Sequence, residues 1–132
     1  MAGVFVPKGN VVREKPEWGD LGWVSRPPDT GATKLTVIEV VLTPGGGHNF
    51  HKHPDQEEVI YVIEGTIEQW LQKEKKDLVA GDSAFIPADA VHASFNVSDK
   101  PAKLLAILGP CVGEGGYEIV DVSGEEPWSG LR

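Results

Sequence analysis

Apolar and polar positions along this chain come in short runs broken by glycine and proline, most clearly from residue 34 onward. Leu35-Thr36-Val37-Ile38-Glu39-Val40-Val41-Leu42 is rich in β-branched residues and ends at Pro44-Gly45-Gly46-Gly47, which predicts a strand closed by a turn. The same pattern predicts strands over 48–53, 58–63, 66–72, 83–86, 93–97 and 102–108, and a last one over 117–122. No amphipathic stretch of a dozen residues appears, because Gly, Pro and β-branched residues interrupt each candidate helix. Residues 1–33 are rich in Pro, Gly and charge. Their pattern predicts a short strand over 3–6 and then a path over the surface, with Trp18 and Trp23 as anchors to the core. Short strands at regular spacing imply an all-β sandwich or barrel.

The chain has 132 residues, of which 40% are hydrophobic, enough for one domain with a real core. Its 16 Gly and 10 Pro are spread between the apolar runs and mark turns, not a low-complexity chain. Net charge is -8. The one tight basic cluster, Lys73, Lys75 and Lys76, is broken by Glu74 and followed by Asp77, and reads as a solvated hairpin turn rather than a nucleic-acid contact. Acidity also disfavours anionic membranes. The longest apolar run, Leu104-Leu105-Ala106-Ile107-Leu108, is far too short to span a bilayer. Residues 1–10 lack the apolar stretch of a signal peptide. One cysteine, Cys111, permits no internal disulfide. The expectation is a cytoplasmic protein with neither nucleic-acid nor membrane partners.

Candidate chemistry rests on four histidines: His48, His51, His53 and His92. His51 and His53 are two apart, so on a strand both imidazoles face one side, an arrangement that suits a metal ion. Glu58 opens the next apolar strand after the turn at Pro54-Asp55-Gln56 and can return a carboxylate to the same cavity. His92 comes from a strand later in the chain. Taken alone, His-x-His is a weak signal, common at surfaces.

The surrounding residues strengthen it. Gly45, five residues, His51-x-His53, four residues, Glu58, six residues, Gly65 resembles the first motif of the cupin superfamily. Gly81, five residues, Pro87, then His92, three residues and Asn96 resembles the second. The fifteen residues between the motifs, 66–80, suit the short hairpin of small single-domain cupins. This resemblance implies an all-β double-stranded β-helix (the cupin or jelly-roll barrel). On that basis residues 34–122 form the barrel, 1–33 an N-terminal arm of the same domain, and 123–132 a C-terminal tail. It also implies one divalent transition metal (Fe, Mn, Ni, Cu or Zn) held by His51, His53, Glu58 and His92. Glu57 competes with Glu58, since strand parity does not separate them; the spacing to Gly65 favours Glu58. One position departs from the family: Asp89 stands where glycine is usual two residues after the proline. Asp tolerates positive φ, so the turn is expected to survive and to place a further carboxylate near the barrel mouth.

Other residues are weaker candidates. His48 lies outside the motif and reads as a rim histidine, or as a substrate contact or proton carrier. Gln69 shares a face with Ile67 and Leu71 and becomes a buried amide if that face lines the barrel; alternatively Glu68 and Trp70 point inward. Asn96 reads as a turn residue, its sequon with Ser98 as unused, and Cys111 and Tyr61 as packing. Catalytic residues are not identified beyond Gln69 and His48. The resemblance implies a metal-dependent enzyme acting on a small organic molecule, with a dioxygenase-type oxidoreductase as the first reading. Its alternatives are a non-redox isomerase or lyase on a sugar or related acid, and a binding module without turnover. It also implies a homodimer. The tail, with Trp128, is open among lid, dimer arm and frayed end.

Overall fold

The computed structural model describes residues 2–132. Eleven strands are seen: β1 (Val12–Glu14), β2 (Gly19–Ser25), β3 (Thr36–Leu42), β4 (Gly47–Lys52), β5 (Glu57–Glu64), β6 (Thr66–Leu71), β7 (Glu74–Val79), β8 (Ser83–Ile86), β9 (His92–Phe95), β10 (Ala102–Gly109) and β11 (Val120–Asp121). They form two antiparallel sheets, ordered β1-β2-β3-β10-β5-β8 and β11-β4-β9-β6-β7. This is the double-stranded β-helix.

Alternation builds the interior. Every second residue of β3 and β10 is buried: Thr36, Ile38, Val40 and Leu42 on one, Ala102, Leu104, Ala106 and Leu108 on the other. Ile38 lies opposite both Trp23 and Ala106, and Ala106 opposite Ile60, so one inward row crosses four strands. Each such side chain contributes roughly 1.5–3 kcal/mol by leaving water. A smaller cluster (Phe50, Trp70, Ala93, Phe95 and Val122) lies on the outer face of the second sheet. The C-terminal tail covers it: Trp128 lies against Phe50 at 5.7 Å, and the Arg132 guanidinium sits 3.7 Å over Phe95 while pairing with Glu68. The tail is therefore neither a lid over the barrel nor a frayed end.

Several expectations change. Residues 3–6 form no strand, and Phe5 is fully exposed. The N-terminal region instead pairs through β1 and β2, with Trp23 buried and its Nε1 donating to Glu14. Glycines hid β2 from the pattern. A Cβ on Gly19 would stand 2.0 Å from the Val41 carbonyl oxygen, so this strand needs glycine to approach β3. Lys75 and Lys76 belong to β7, and only Gln72 and Lys73 form the turn. The strand expected over 117–122 shrinks to Val120–Asp121. Tyr61 is not packing: it stands 43% exposed on the outer face of the first sheet. Asp89 does adopt positive φ (68°), and its N–H donates to the His53 carbonyl. Its carboxylate turns to Lys52 at 3.1 Å on the surface. Asn96 ties a turn, donating to the Leu42 and Lys100 carbonyls and accepting from Ser98. Cys111 packs against Leu35 and Thr36.

Candidate metal centre

Three strands bring the site together at one end of the barrel. His51 lies near the end of β4 directly opposite His92 at the start of β9. His53 follows β4 by one residue, and Glu58 opens β5 opposite Leu108. All four side chains are buried. The register between β4 and β9 shifts between His48 and His51, a bulge that re-aims the histidines.

Each imidazole is fixed from behind by a main-chain carbonyl. Nδ1 of His51 donates to Asn49 (2.6 Å), Nδ1 of His53 to Glu118 (2.6 Å) and Nδ1 of His92 to Ala90 (3.0 Å). A carbonyl oxygen only accepts, so each Nδ1 carries the hydrogen and each Nε2 presents its lone pair. Ligand atoms of the three rings lie within 4.8 Å of one another and can hold a metal ion. Glu58 Oε1 approaches His92 Nε2 to 2.9 Å and His53 Nε2 to 3.2 Å. Yet Glu58 Oε1 and His92 Nε2 both lack a partner in hydrogen-bonding geometry. Two buried acceptors facing one another are costly unless a cation lies between them. The residues present thus fit a divalent metal, and their all-nitrogen-and-oxygen donors suit Fe, Mn, Ni, Cu or Zn.

Electrostatics agree with that donor set. Burial, then the neighbouring imidazoles of His48, His92 and His53, hold His51 well below the usual histidine range. Burial pushes the Glu58 carboxyl up, while positive charge on its His53 and His92 side, a proton on Nε2 or a metal ion in its place, lowers it to about 2. The carboxylate is therefore ionised at neutral pH.

Beside these side chains lies a cavity of about 50 Å³. Its wall is largely apolar, from Leu21, Trp23, Val40, Ile60, Leu104 and Ala106. His48, Ser94 and Tyr117 add polar groups. His48 is stacked between Trp18 (4.9 Å) and His51 (3.7 Å), and burial, with the nearby His92, lowers it to about 4. His48 and His51 also line an outer cleft of about 320 Å³ with Trp18, Ile119 and Asp121, so they form the wall between cavity and solvent.

Gln69 does not line this cavity. It is buried behind Ser94, whose Oγ donates to Gln69 Oε1 at 2.6 Å, while Gln69 Nε2 donates to the Trp70 carbonyl. Both faces of β6 are covered, Ile67 and Gln69 inside and Trp70 under the tail, which is why alternation left the inward face open. Sequence reading missed Ser94 and Tyr117. Ser94 carried a signal, standing midway between His92 and Asn96 at period two. Tyr117 carried none, because an irregular segment delivers it; burial and the Glu58 charge hold its phenol protonated.

Comparisons with known proteins agree on the fold. The family model described as "Cupin domain" matches residues 38–108. "Polyketide synthase CurC" of Streptomyces cyaneus is 36% identical over 92 residues, covering 70% of this chain; the chain spans 60% of that protein's length. "Quercetin 2,3-dioxygenase" of Bacillus subtilis is 32% identical over 93 residues, covering 60% of this chain and 28% of that one. The Lactobacillus farciminis oxalate decarboxylase formate complex superposes with a TM-score of 0.77 at 22% identity, over 88% of this chain and 35% of that one.

Proposed function

We propose that this chain, which belongs to the cupin family, is a metal-dependent enzyme acting on a small organic molecule by dioxygenase-type oxidation, with His51, His53, His92 and Glu58 as the metal ligands. The supporting observation is the convergence of three Nε2 lone pairs and an ionised carboxylate, two of their atoms unpartnered, beside a cavity. A metal held there supplies a Lewis acid with positions left for dioxygen or a substrate oxygen. The chain's own residues do the rest. Main-chain carbonyls fix the imidazoles, the apolar wall excludes water, and His48 and Tyr117 are placed to touch the substrate.

Elemental analysis of purified protein, beside a His51→Ala/His53→Ala variant, tests the metal centre. About one equivalent of transition metal in the parent, lost in the variant, is expected. No metal in the parent after reconstitution with Fe, Mn, Ni, Cu and Zn would sink the proposal. Dioxygen uptake with substrate then separates oxidation from a second reading, a non-redox isomerase or lyase. That reading draws on Tyr117, a phenol at the cavity wall whose hydroxyl can donate a hydrogen bond to a substrate oxygen. Binding without turnover would favour a third reading, a small-molecule-binding module.

The proposal includes a homodimer, supported by Tyr61, Ile63 and Phe85 exposed together on neighbouring strands β5 and β8. Light scattering reports it. It also places the protein in the cytoplasm, in keeping with a single cysteine; among the described residues no helix is long and apolar enough to cross a membrane.

A further inference from the structure

The substrate class is written in what the cavity lacks. Among the described residues no lysine or arginine lines it. Four cations are paired elsewhere: Arg13 with Asp20 and Glu39, Arg26 with Asp29, Lys52 with Asp89, Arg132 with Glu68. Lys75 and Lys76 border a different groove, between β7 and β8. Glu58 is the one carboxylate on the wall. A carboxylate or phosphate beyond the metal-bound atom would find apolar side chains and no counter-charge, and a buried unpaired charge is strongly disfavoured.

The polar groups that remain have a definite sense. Gln69 Nε2 is engaged with the Trp70 carbonyl, so Gln69 Oε1 is the acceptor and takes the single hydroxyl hydrogen of Ser94. Ser94 therefore turns lone pairs to the cavity and accepts from a substrate hydroxyl. It repels a carboxylate oxygen. Tyr117 adds a phenol hydroxyl to the wall, a group that can donate to a neutral oxygen. A polyol is no better suited, because each further hydroxyl would face the apolar wall of Leu21, Val40, Ile60 and Leu104.

We infer that this site takes an uncharged, largely apolar enol, phenol or hydroxyketone, bound to the metal through its oxygen head, and turns away dicarboxylates, uronates and sugar phosphates. The inference rests on the metal-dependent reading above. A divalent ion beside the one Glu58 carboxylate would retain a single positive charge, which one enolate or phenolate oxygen, its proton released to solvent, would neutralise. The 50 Å³ cavity is about a third of one that holds benzene. A larger body must extend past His48 toward the Trp18 cleft, which shares the His48 and His51 walls.

Acetylacetone and malonate test this directly. Both close a six-membered chelate through two oxygens; acetylacetone does so as a monoanion, its central carbon having released a proton to the buffer, and carries two methyl groups where the malonate dianion carries two further carboxylate oxygens. Each is titrated calorimetrically into Ni(II)-loaded protein, and each affinity is divided by that of the same probe for aqueous Ni(II) in the same buffer. Both titrations are repeated on His48→Ala, which widens the passage, so that a closed wall is not mistaken for lack of affinity. The corrected ratio is expected to favour acetylacetone by about tenfold or more. A ratio of one or below, or no binding of either probe to either protein, overturns the inference and leaves the metal centre standing. Failure of the protein to retain Ni(II) or any of Fe, Mn, Cu and Zn overturns this inference and the metal-dependent reading together.

Discussion

The imidazole of His48 lies flat on that of His51, with ring centroids 3.7 Å apart and planes 14° from parallel. His51 faces the metal centre, and His48 in turn stacks on Trp18 at the surface. The stack walls the cavity from the outer cleft. Replacing His48 with alanine removes the wall without touching a proposed ligand. The loaded variant is expected to hold the same amount of metal but to release it to a chromophoric chelator about tenfold faster. Equal release rates would show that metal leaves by another route.

Glu58 Oε1 and His92 Nε2 oppose each other as unpartnered acceptors at 2.9 Å. Glu58→Gln replaces one of them with a group that can donate. The metal-free variant is therefore expected to be more stable than the metal-free parent, by about 1–2 kcal/mol. The effect reverses with metal present, because a neutral amide is a poorer ligand than a carboxylate. Thermal melts of both proteins with and without Zn(II) check the two signs. A variant less stable in both states would mean that Glu58 is held by something other than a missing cation.

The central strands and the histidine cluster were legible in the sequence because their information is local. Alternation in β3 and β10 shows on the chain, and the spacing of His51, His53, Glu58 and His92 survives as a pattern. What was not legible depends on distant contacts. β2 contains Gly19, required by close approach to the Val41 carbonyl of β3, and Gly22, which lies under the movable Arg13 guanidinium, and glycine reads as a breaker until the neighbour is known. Tyr117 reaches the cavity from an irregular segment, which no periodicity describes. The inward face of β6 was ambiguous because the tail covers its other side.

Acid should destabilise the metal-free protein well before carboxylates titrate. His48 is lowered to about 4 and His51 is lowered too, by burial first, while both regain an ordinary value near 6.5 on unfolding. A depressed folded pKa means that the unfolded state binds more protons, so stability rises with pH. The histidine contribution is complete above about pH 6.5 and is lost as pH falls toward about 4, at roughly 3 kcal/mol for His48 alone. Urea midpoints of the metal-free protein are expected to fall between pH 7 and 4.5. His48→Ala should flatten part of that slope, and an unchanged slope would remove His48 from the account.

The tail offers a way to separate stability from the metal centre. Trp128 packs on Phe50, and Phe50 meets Trp70 and Phe95 edge-on, all on the outer face of the sheet whose inner face carries His51 and His92. Trp128→Ala removes half-buried aromatic area from this cover, so a loss of about 2 kcal/mol is expected, less than for a fully buried tryptophan. The carbonyls that orient the three histidine rings belong to Asn49, Ala90 and Glu118, none of them in the tail. Metal content and affinity should therefore stay within twofold of the parent while the melting temperature drops. Loss of metal in proportion to loss of stability would show instead that the cover is coupled through β4 to the geometry of His51.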